Sequence, residues 1–278
     1  MTTVLNNAGI TDSRIEGDLL CMQAMCATRE ELYISLNQPL ESSVADRLAL
    51  LLDRRLSREP SAYILGYKEF YGLVFGVSPE VLIPRPETEH VVESVLQALS
   101  NKTTSLSTVV LDIGTGSGAI AIAVASKSPQ STVIASDVSP AAIKIAYANK
   151  SKYPKLHNIE FVIGDLLAWV KGPVDVIAAN LPYVPTAVVQ TLEPEIRSYE
   201  PLGALDGGKD GLDFIRQIVE QAAGLLTSTG SLILELDPSQ FDSLCTFISE
   251  GYKGVKFKII KDFHGLDRVL VVTGLAVH

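Results

Sequence analysis

The sequence predicts an α/β protein in which a mostly parallel sheet follows a small all-helical domain and a β-hairpin. Apolar residues recur at helical spacing over residues 13–58, and aromatic and aliphatic residues alternate around glycines over residues 69–83. After Thr108, apolar strands alternate with helices. Repeated strand–helix units indicate a parallel sheet that is covered by helices on both faces.

The helical part comes first in the chain. Its first amphipathic stripe consists of Ile15, Leu19, Met22 and Cys26. This part has no acid–base cluster and no glycine-rich loop, so packing or docking explains it better than catalysis. We expect a docking domain over residues 1–75, a second domain over residues 76–278, and a hairpin linker over about 68–84.

The composition limits the possible functions. The chain has 278 residues, 47% of them hydrophobic and 20% charged, which excludes a mainly disordered protein. Its net charge of −9 opposes broad binding to nucleic acid or to anionic membranes. The three cysteines form no CxxC pair and the four histidines are scattered, so we expect no metal site.

The cellular location follows from what the sequence lacks. The polar start of the chain, Met1 to Asp12, does not read as a signal peptide. No apolar run reaches the roughly 18 residues that a transmembrane helix needs. We therefore expect a cytoplasmic protein that does not associate with membranes.

Polar residues collect where the predicted strands of the second domain end. The predicted strands are 109–113, 132–136, 158–163, 174–179, 231–236, 256–261 and 268–273. Asp112, Asp137, Asp165 and Asn180 lie at or next to the ends of the first four. Because ligands of such sheets bind at the carboxyl ends of the strands, we expect the functional site there.

A glycine-rich loop follows the first of these strands and opens a helix. Its residues are Gly114, Thr115, Gly116, Ser117 and Gly118. Glycines allow a ligand to approach the backbone closely, and the helix start offers free N–H groups. Asp137 lies at the end of the next strand, where a carboxylate can accept hydrogen bonds from ribose hydroxyls. The loop predicts a nucleotide-like cofactor, although it also fits a loose dinucleotide pattern.

The tetrapeptide Asn180-Leu181-Pro182-Tyr183 ends the fourth strand and separates these possibilities. A glycine loop followed by an Asn-x-Pro-Tyr loop resembles class I S-adenosylmethionine-dependent N-methyltransferases that act on planar NH₂ groups. The chain is more closely similar to the release-factor glutamine methyltransferases (the PrmC/HemK family). The stretches IPRPETE, from Ile83, and DGGKDGL, from Asp206, carry the most specific part of this resemblance.

The resemblance implies a fold, an activity and a partner. It implies a Rossmann-like seven-stranded sheet and methyl transfer from S-adenosyl-L-methionine, with S-adenosyl-L-homocysteine as product and no metal. The methyl acceptor would be the side-chain amide nitrogen (N5) of the glutamine in the Gly-Gly-Gln motif of class I peptide chain release factors. The protein would then act in translation termination, without stable binding to nucleic acid.

The same resemblance suggests a role for each residue. The residues that it implies for cofactor binding are Gly114, Thr115, Gly116, Ser117, Gly118, Asp137, Asp165, Leu166 and Asn180. The target amide would be held by Asn180, Leu181, Pro182 and Tyr183, with Asn180 and Tyr183 as the catalytic residues. The Asn180 side-chain oxygen and the carbonyl of Leu181 would accept from the target NH₂, and Tyr183 would pack on its planar amide.

The sequence departs from the family pattern at two positions. Leu181 replaces the first proline of the usual Asn-Pro-Pro-Tyr loop, which leaves the rigidity of the loop open. Asp237 stands where the family has the glycine of a Glu-Ile-Gly stretch, which puts in doubt any role of that glycine's backbone.

Two alternatives remain beside the release-factor hypothesis. An adenine-N6 methyltransferase acting on RNA or DNA would use the same Asn-x-Pro-Tyr chemistry, but it needs a basic face for phosphate contacts. A cofactor-binding module without catalysis, or a nicotinamide-dependent oxidoreductase, needs no such loop. We see no catalytic Tyr-Lys or His-Asp arrangement in the sequence that would support an oxidoreductase.

Overall fold

The computed structural model describes residues 1–100 and 108–275. The chain forms two compact units. The first contains Met1–Tyr67 together with Glu193–Tyr199, and the second contains Lys68–Leu192 and the chain from Glu200 onward. The boundary that the sequence places at residue 75 thus falls inside the second unit, because the hairpin belongs there.

The first unit is helical, as predicted, but the predicted stripe through Ile15 is not the buried face of its helix. Ile15 is 54% exposed, and the helix Ser13–Met25 buries Gly17, Leu20 and Ala24 instead. Its helices are α1 (Thr2–Asn7), α2 (Ser13–Met25), α3 (Arg29–Ser35), α4 (Ser42–Leu56), α5 (Ser61–Leu65) and, from later in the chain, α10 (Pro194–Tyr199). Leu5, Ile10, Leu20 and Ile64 form its buried centre. Thr28 and Glu31 form the capping box that starts α3.

A buried ion cluster joins α10 to the rest of the first unit. The Arg55 side chain is 5% exposed and forms ion pairs with Glu16 and, at 3.1 Å, with Glu195. Arg58 approaches the same Glu195 carboxylate at 2.8 Å. Charges in such positions must be paired, because an unpaired buried charge is costly. These two arginines therefore explain why the Glu195 carboxylate can be largely buried. From the sequence alone, Glu195 belongs to an acidic stretch that would be expected to lie in solvent.

The second unit begins with the predicted hairpin, β1 (Tyr67–Phe70) and β2 (Leu73–Gly76). Tyr71 and Gly72 form the turn with positive φ angles of 51° and 73°. The strand ends at Gly76, earlier than the alternating pattern to Ile83 suggests. A 3-10 turn over Pro86–Thr88 then leads into α6 (Glu89–Ser100).

The main sheet has seven strands in the order β5-β4-β3-β6-β7-β9-β8. They are β3 (Val109–Ile113), β4 (Thr132–Asp137), β5 (Ile159–Ile163), β6 (Val174–Ala179), β7 (Leu226–Glu235), β8 (Lys256–Lys261) and β9 (Asp267–Thr273). Adjacent strands from β5 to β7 pair in parallel, and β9 is antiparallel to both β7 and β8. The predicted mostly parallel, seven-stranded sheet is confirmed.

Helices cover both faces of this sheet. They include α7 (Ala119–Lys127), α8 (Pro140–Ser151), α11 (Asp213–Ala222) and α12 (Phe241–Gly251), with the short α9 (Thr186–Val189) after β6. Two apolar cores result, one centred on Leu111, Ile177 and Ile218 and the other on Val110, Ile122 and Val176. Successive residues of β3 enter opposite cores, as the alternation of side chains along a strand requires.

The helix after the second glycine-rich stretch, and the strand that follows it, also differ from the prediction. Residues 211–226 read as a single helix, but α11 covers only Asp213–Ala222 and Leu226 opens β7 by pairing with Val174. Gly211 has a φ of +78°, which an α-helix does not accommodate. The polar stretch predicted as a loop over residues 101–108 lies, up to residue 107, outside the described residues.

Across the described ranges, no helix is long and apolar enough to cross a membrane.

Candidate active site

The glycine-rich loop connects β3 to α7 through three residues with positive φ. The angles are 72° at Gly114, 55° at Gly116 and 83° at Gly118. The N–H groups of Gly114 and Thr115 both donate to the Ser136 carbonyl at 2.9 Å, which ties the loop to the end of β4. A Cβ on Gly116 would meet nothing within 4 Å, so the loop leaves open space beside its backbone. The backbone on this side of the loop is thus accessible, which is what close approach of a ligand would require.

Two carboxylates accept hydrogen bonds from residues of the glycine-rich loop. Asp112 is 1% exposed, and its Oδ2 accepts from the Thr115 hydroxyl at 2.6 Å and from the Ala121 N–H at 3.1 Å. Burial raises the pKa of Asp112 to about 7, because the charged form has lost its water. Asp137 accepts from the N–H groups of Gly116 and Ser139, each at 2.9 Å. A carboxylate has about four acceptor positions, so Asp137 retains capacity for a ligand.

A cavity of about 390 Å³ lies against this loop at the carboxyl end of the sheet. Its wall includes Gly114–Ser117, Asp137, Asp165, Leu166, Asn180, Leu181 and Pro182. Glu80 and Arg85 line it as well, and the Arg85 guanidinium is paired with the buried Glu200. Among the lining residues, carboxylates thus outnumber cations, and this wall favours a cationic ligand over a phosphate.

The backbone of Leu166, which lines the cavity, is strained. Its φ is +41°, which is unusual for a bulky residue. The Trp169 indole donates to the Leu166 carbonyl at 2.9 Å and the Gln221 side chain accepts from the Leu167 N–H at 2.8 Å. These two bonds hold the turn that follows β5 and put an apolar side chain beside the exposed Asp165.

The Asn180–Tyr183 loop follows β6, next to the glycine loop. Asn180 Nδ2 donates to Thr88 Oγ1 at 3.1 Å. Leu181 is 5% exposed, and a Cβ on Gly114 would stand 3.0 Å from its Cδ2. Leu181 therefore packs the two loops together, and a buried leucine anchors the position where the family pattern has a proline.

The hydroxyl of Tyr183, the last residue of this loop, faces a buried acid. It donates to Glu235 Oε1 at 3.4 Å. Glu235 is 1% exposed, and burial raises its pKa to about 7, although Thr88, Arg268 and Tyr183 act in the opposite direction. Burial and the nearby Glu235 raise the pKa of Tyr183 as well, so its hydroxyl stays protonated.

The backbone of a second glycine-rich loop, residues 206–211, packs against the backbone of the Asn180–Tyr183 loop. The Val184 N–H donates to Leu205 at 3.0 Å, and the Gly207 N–H donates back to Val184 at 2.8 Å. A Cβ on Gly207 would stand 2.5 Å from the Pro182 carbonyl oxygen. A glycine is therefore needed at position 207, because the two backbones pass in direct contact there.

The residue that replaces the family's glycine after β7 has a structural role of its own. Asp237 has a regular φ of −70° and accepts from the Ser239 N–H at 2.9 Å, which caps the next 3-10 turn. Gln240 in turn accepts from the Asp237 N–H at 3.1 Å and donates to the Tyr183 carbonyl at 2.8 Å. No positive φ is required at position 237, so aspartate fits where the family has glycine.

The structure brings most of the predicted site residues to one cavity. The exceptions are Gly118, which is the N-cap of α7, and Tyr183, which is not among the residues that line this cavity. Sequence reasoning missed Thr88, Glu200 and Glu235 as site residues. Thr88 lies in the IPRPETE stretch, but nothing in that stretch indicates that its hydroxyl meets Asn180, 92 positions later.

Comparisons with known proteins agree with this arrangement. The PrmC N-terminal domain matches residues 1–66, and the Methyltransferase small domain matches residues 90–193. A release factor glutamine methyltransferase from Geobacter sulfurreducens is 38% identical over 96% of this chain and 91% of its own length. One from Moorella thermoacetica is 39% identical over 94% of this chain and 91% of its own.

A human relative and a solved structure extend the comparison. The human MTRF1L release factor glutamine methyltransferase is 39% identical over 85% of this chain and 74% of its own length. The hMettl16 catalytic domain, solved with a MAT2A 3′UTR hairpin, has a TM-score of 0.60 over 80% of this chain and 82% of its own, at 15% identity. That level of identity supports the fold alone, which is the class I methyltransferase fold. Together with the matching relatives, these observations show that the chain belongs to the release factor glutamine methyltransferase family.

Proposed function

We propose that this protein transfers a methyl group from S-adenosyl-L-methionine to the side-chain amide nitrogen (N5) of a glutamine in class I peptide chain release factors, within their Gly-Gly-Gln motif. The observation that carries the proposal is that Asn180, Leu181 and Pro182 share one cavity with the glycine-rich loop. The family membership supplies the substrate class.

The cavity suits this cofactor in shape and in charge. The open side of Gly116 leaves room for a ligand beside the loop, and a volume of about 390 Å³ lies within the range of ligand pockets. Asp137 would accept from the ribose hydroxyls, and Asp165 with Leu166 would surround the adenine. When bound, the cofactor supplies an electrophilic methyl group on a positively charged sulfur. The excess of carboxylates in the wall favours that charge.

The remaining task of the protein is to orient the nucleophile. An amide nitrogen is a poor nucleophile because its lone pair is delocalised into the carbonyl. Two acceptors on the NH₂ group, the Asn180 Oδ1 and the Leu181 carbonyl, would hold the nitrogen in line with the methyl carbon. The bound donor would supply its methyl group to this nitrogen and would leave as S-adenosyl-L-homocysteine, and the alkylated nitrogen would lose a proton to water. Orientation of this kind contributes up to about 7–11 kcal/mol.

Tyr183 and the helical unit complete the proposal. The Tyr183 ring would pack on the planar amide of the target, with its hydroxyl held by Glu235. Residues 1–75 would dock the release factor, because they carry no catalytic cluster. The proposed reaction needs no metal, because a sulfonium is already an activated methyl donor.

The test is mass spectrometry after incubation with the methyl donor. We expect one added methyl group on the glutamine of an intact release factor, and none on a release factor in which that glutamine is alanine. An arm with structured RNA tests the adenine-N6 alternative, which the net charge of −9 opposes. Methylated adenine with unmodified release factor would overturn the proposal.

A further inference from the structure

We propose that Glu235 is a positioning residue for methyl transfer, which acts through Thr88 to fix the orientation of the Asn180 side-chain amide. This inference rests on the proposed function, because it concerns how Asn180 presents an acceptor to the target. Glu235 does not line the cavity, whereas Thr88 and Asn180 do. Glu235 therefore makes no direct contact with a ligand in the cavity, and its hydrogen bonds act through the residues that do line it.

The starting observation is a buried carboxylate that the reaction does not otherwise use. Glu235 lies at the end of β7 and is 1% exposed. Its Oε1 accepts from the Tyr183 hydroxyl at 3.4 Å, while its Oε2 has no hydrogen-bond partner among the described residues. A buried acceptor without a donor is costly, so such a group calls for a functional explanation.

Thr88 lies between this carboxylate and Asn180. Its Oγ1 accepts from Asn180 Nδ2 at 3.1 Å, so the hydroxyl proton remains to be donated elsewhere. The Thr88 side chain is close enough to lower the pKa of Glu235. The unpartnered Oε2 of that buried carboxylate is the acceptor available to the Thr88 proton. Thr88 itself is 4% exposed, which keeps water from competing for either contact.

The direction of these bonds decides which atom of Asn180 meets the target. A threonine hydroxyl has one proton. If Glu235 takes that proton, the Thr88 oxygen can only accept from Asn180, and the Asn180 Oδ1 is left for the target NH₂. If Glu235 is replaced by an amide that donates to Thr88, the Thr88 proton turns to Asn180 Oδ1. Asn180 then presents its own NH₂ to the target NH₂, where two donors cannot bond.

The surroundings of Glu235 make its ionisation sensitive to pH. Burial raises its pKa to about 7. Arg268 on β9 and the hydroxyls of Thr88 and Tyr183 favour the ionised form, and Glu87 on the 3-10 turn opposes it. A cationic ligand in the nearby cavity favours the carboxylate further. Protonation of Glu235 should therefore abolish the favoured orientation of Asn180 below about pH 7.

Two matched pairs of variants test this inference in the full-length enzyme. Thr88→Val removes the hydroxyl at nearly constant volume, and Thr88→Ser retains it. Glu235→Gln keeps the shape but replaces an acceptor with a donor. We expect Thr88→Val and Glu235→Gln each to lower kcat by about 30-fold, and Thr88→Ser by less than about threefold. The KM for release factor and the Kd for S-adenosyl-L-homocysteine should stay within about threefold of wild type.

Three further readouts separate positioning from a structural role. Because Glu235 acts through Thr88, the double variant should be no more than about threefold slower than Thr88→Val alone. The acidic limb of the kcat/KM profile near pH 7 should disappear in Glu235→Gln. A ¹³C-NMR titration of the carboxyl groups should find, besides Asp112, one group that titrates near pH 7, is missing in Glu235→Gln and shifts in Thr88→Val.

The outcomes are distinct. If Glu235→Gln does not fold, the comparison of Thr88→Val with Thr88→Ser still tests whether the Thr88 hydroxyl positions Asn180. Equal activity of those two variants, or full additivity of the two substitutions, overturns the positioning role while the methyltransferase activity of the wild type stands. If the wild type itself methylates no release factor, the proposed function fails instead.

Discussion

Replacing Gly207 with alanine should damage the Asn180–Tyr183 loop without touching a ligand. Gly207 has a regular φ, so alanine costs little backbone strain there. Its Cβ would stand 2.5 Å from the Pro182 carbonyl oxygen, 2.7 Å from the Gly211 carbonyl oxygen and 2.9 Å from the Gly211 Cα. All three neighbours are backbone atoms, so no flexible side chain can move aside.

The size of the effect follows from that geometry. To reach ordinary contact, the Pro182 oxygen must retreat from 2.5 Å to at least 3.4 Å, unless the 206–211 loop moves instead. A displacement approaching 1 Å in a loop that orients a reacting group can cost about 10²-fold in rate. We therefore expect kcat for release-factor methylation to fall about 100-fold, and the unfolding free energy to fall by about 1–3 kcal/mol, as for overpacking in a core.

The assay is single-turnover methyl transfer at saturating cofactor, together with thermal unfolding. Gly251→Ala is the matched control, because a Cβ there meets nothing within 4 Å and its φ is regular. The control should retain the wild-type rate. If Gly207→Ala turns over within about threefold of wild type, the backbone contact between the two loops does not position the site.

Three other predictions follow from the cavity. Asn180→Ala should lower kcat strongly, and more than Asn180→Asp, while cofactor affinity is largely kept. The reason is that alanine leaves an amide hydrogen of the target unpaired, which costs about 1–3 kcal/mol. A single-turnover rate within about threefold of wild type would show that Asn180 is only a turn residue. Asp137→Ala should weaken S-adenosyl-L-methionine binding by about 1.5–3 kcal/mol in calorimetric titration, and an unchanged affinity would contradict this role. Asp112→Asn should flatten the pH dependence of stability. The folded pKa of Asp112 is raised from 3.8 to about 7, so the wild type binds more protons when folded and loses stability as pH rises through that window. Chemical denaturation between pH 4 and 8 measures the slope, and equal slopes for the two proteins would refute the assignment.

The glycine and Asn-Leu-Pro-Tyr loops could be located from the sequence because their signals are local. A glycine needs a positive φ or a close approach wherever it occurs in such a motif, and the strand–helix alternation puts both loops at the carboxyl edge of the sheet. The observed cavity brings Gly114, Asp137 and Asn180 to one wall. Their roles in binding and catalysis remain predictions for the experiments above.

The contacts between these loops and residues distant in the sequence could not be predicted from local signals. The IPRPETE stretch is specific as a pattern, yet it does not say that Thr88 meets Asn180 or faces Glu235. Glu195 reads as a member of an acidic loop, but it lies within 3.1 Å of two arginines from the helical sequence. Such pairs join positions about 90 to 150 residues apart, and no periodicity relates them.

The sequence by itself determined the class of fold, the order of the strands and helices along the chain, and the two loops that form the cavity. Each of these depends on local preference: apolar periodicity, glycine conformation and the turn-forming residues at strand ends. Only the tertiary structure decided that Leu181 anchors the loop in place of a proline, that Asp237 serves where the family has glycine, and that Glu235 is buried beside Tyr183 with one oxygen unpaired. The burial of a charge and the direction of a hydrogen bond depend on what packs against it, and the chain brings those partners together only when it folds.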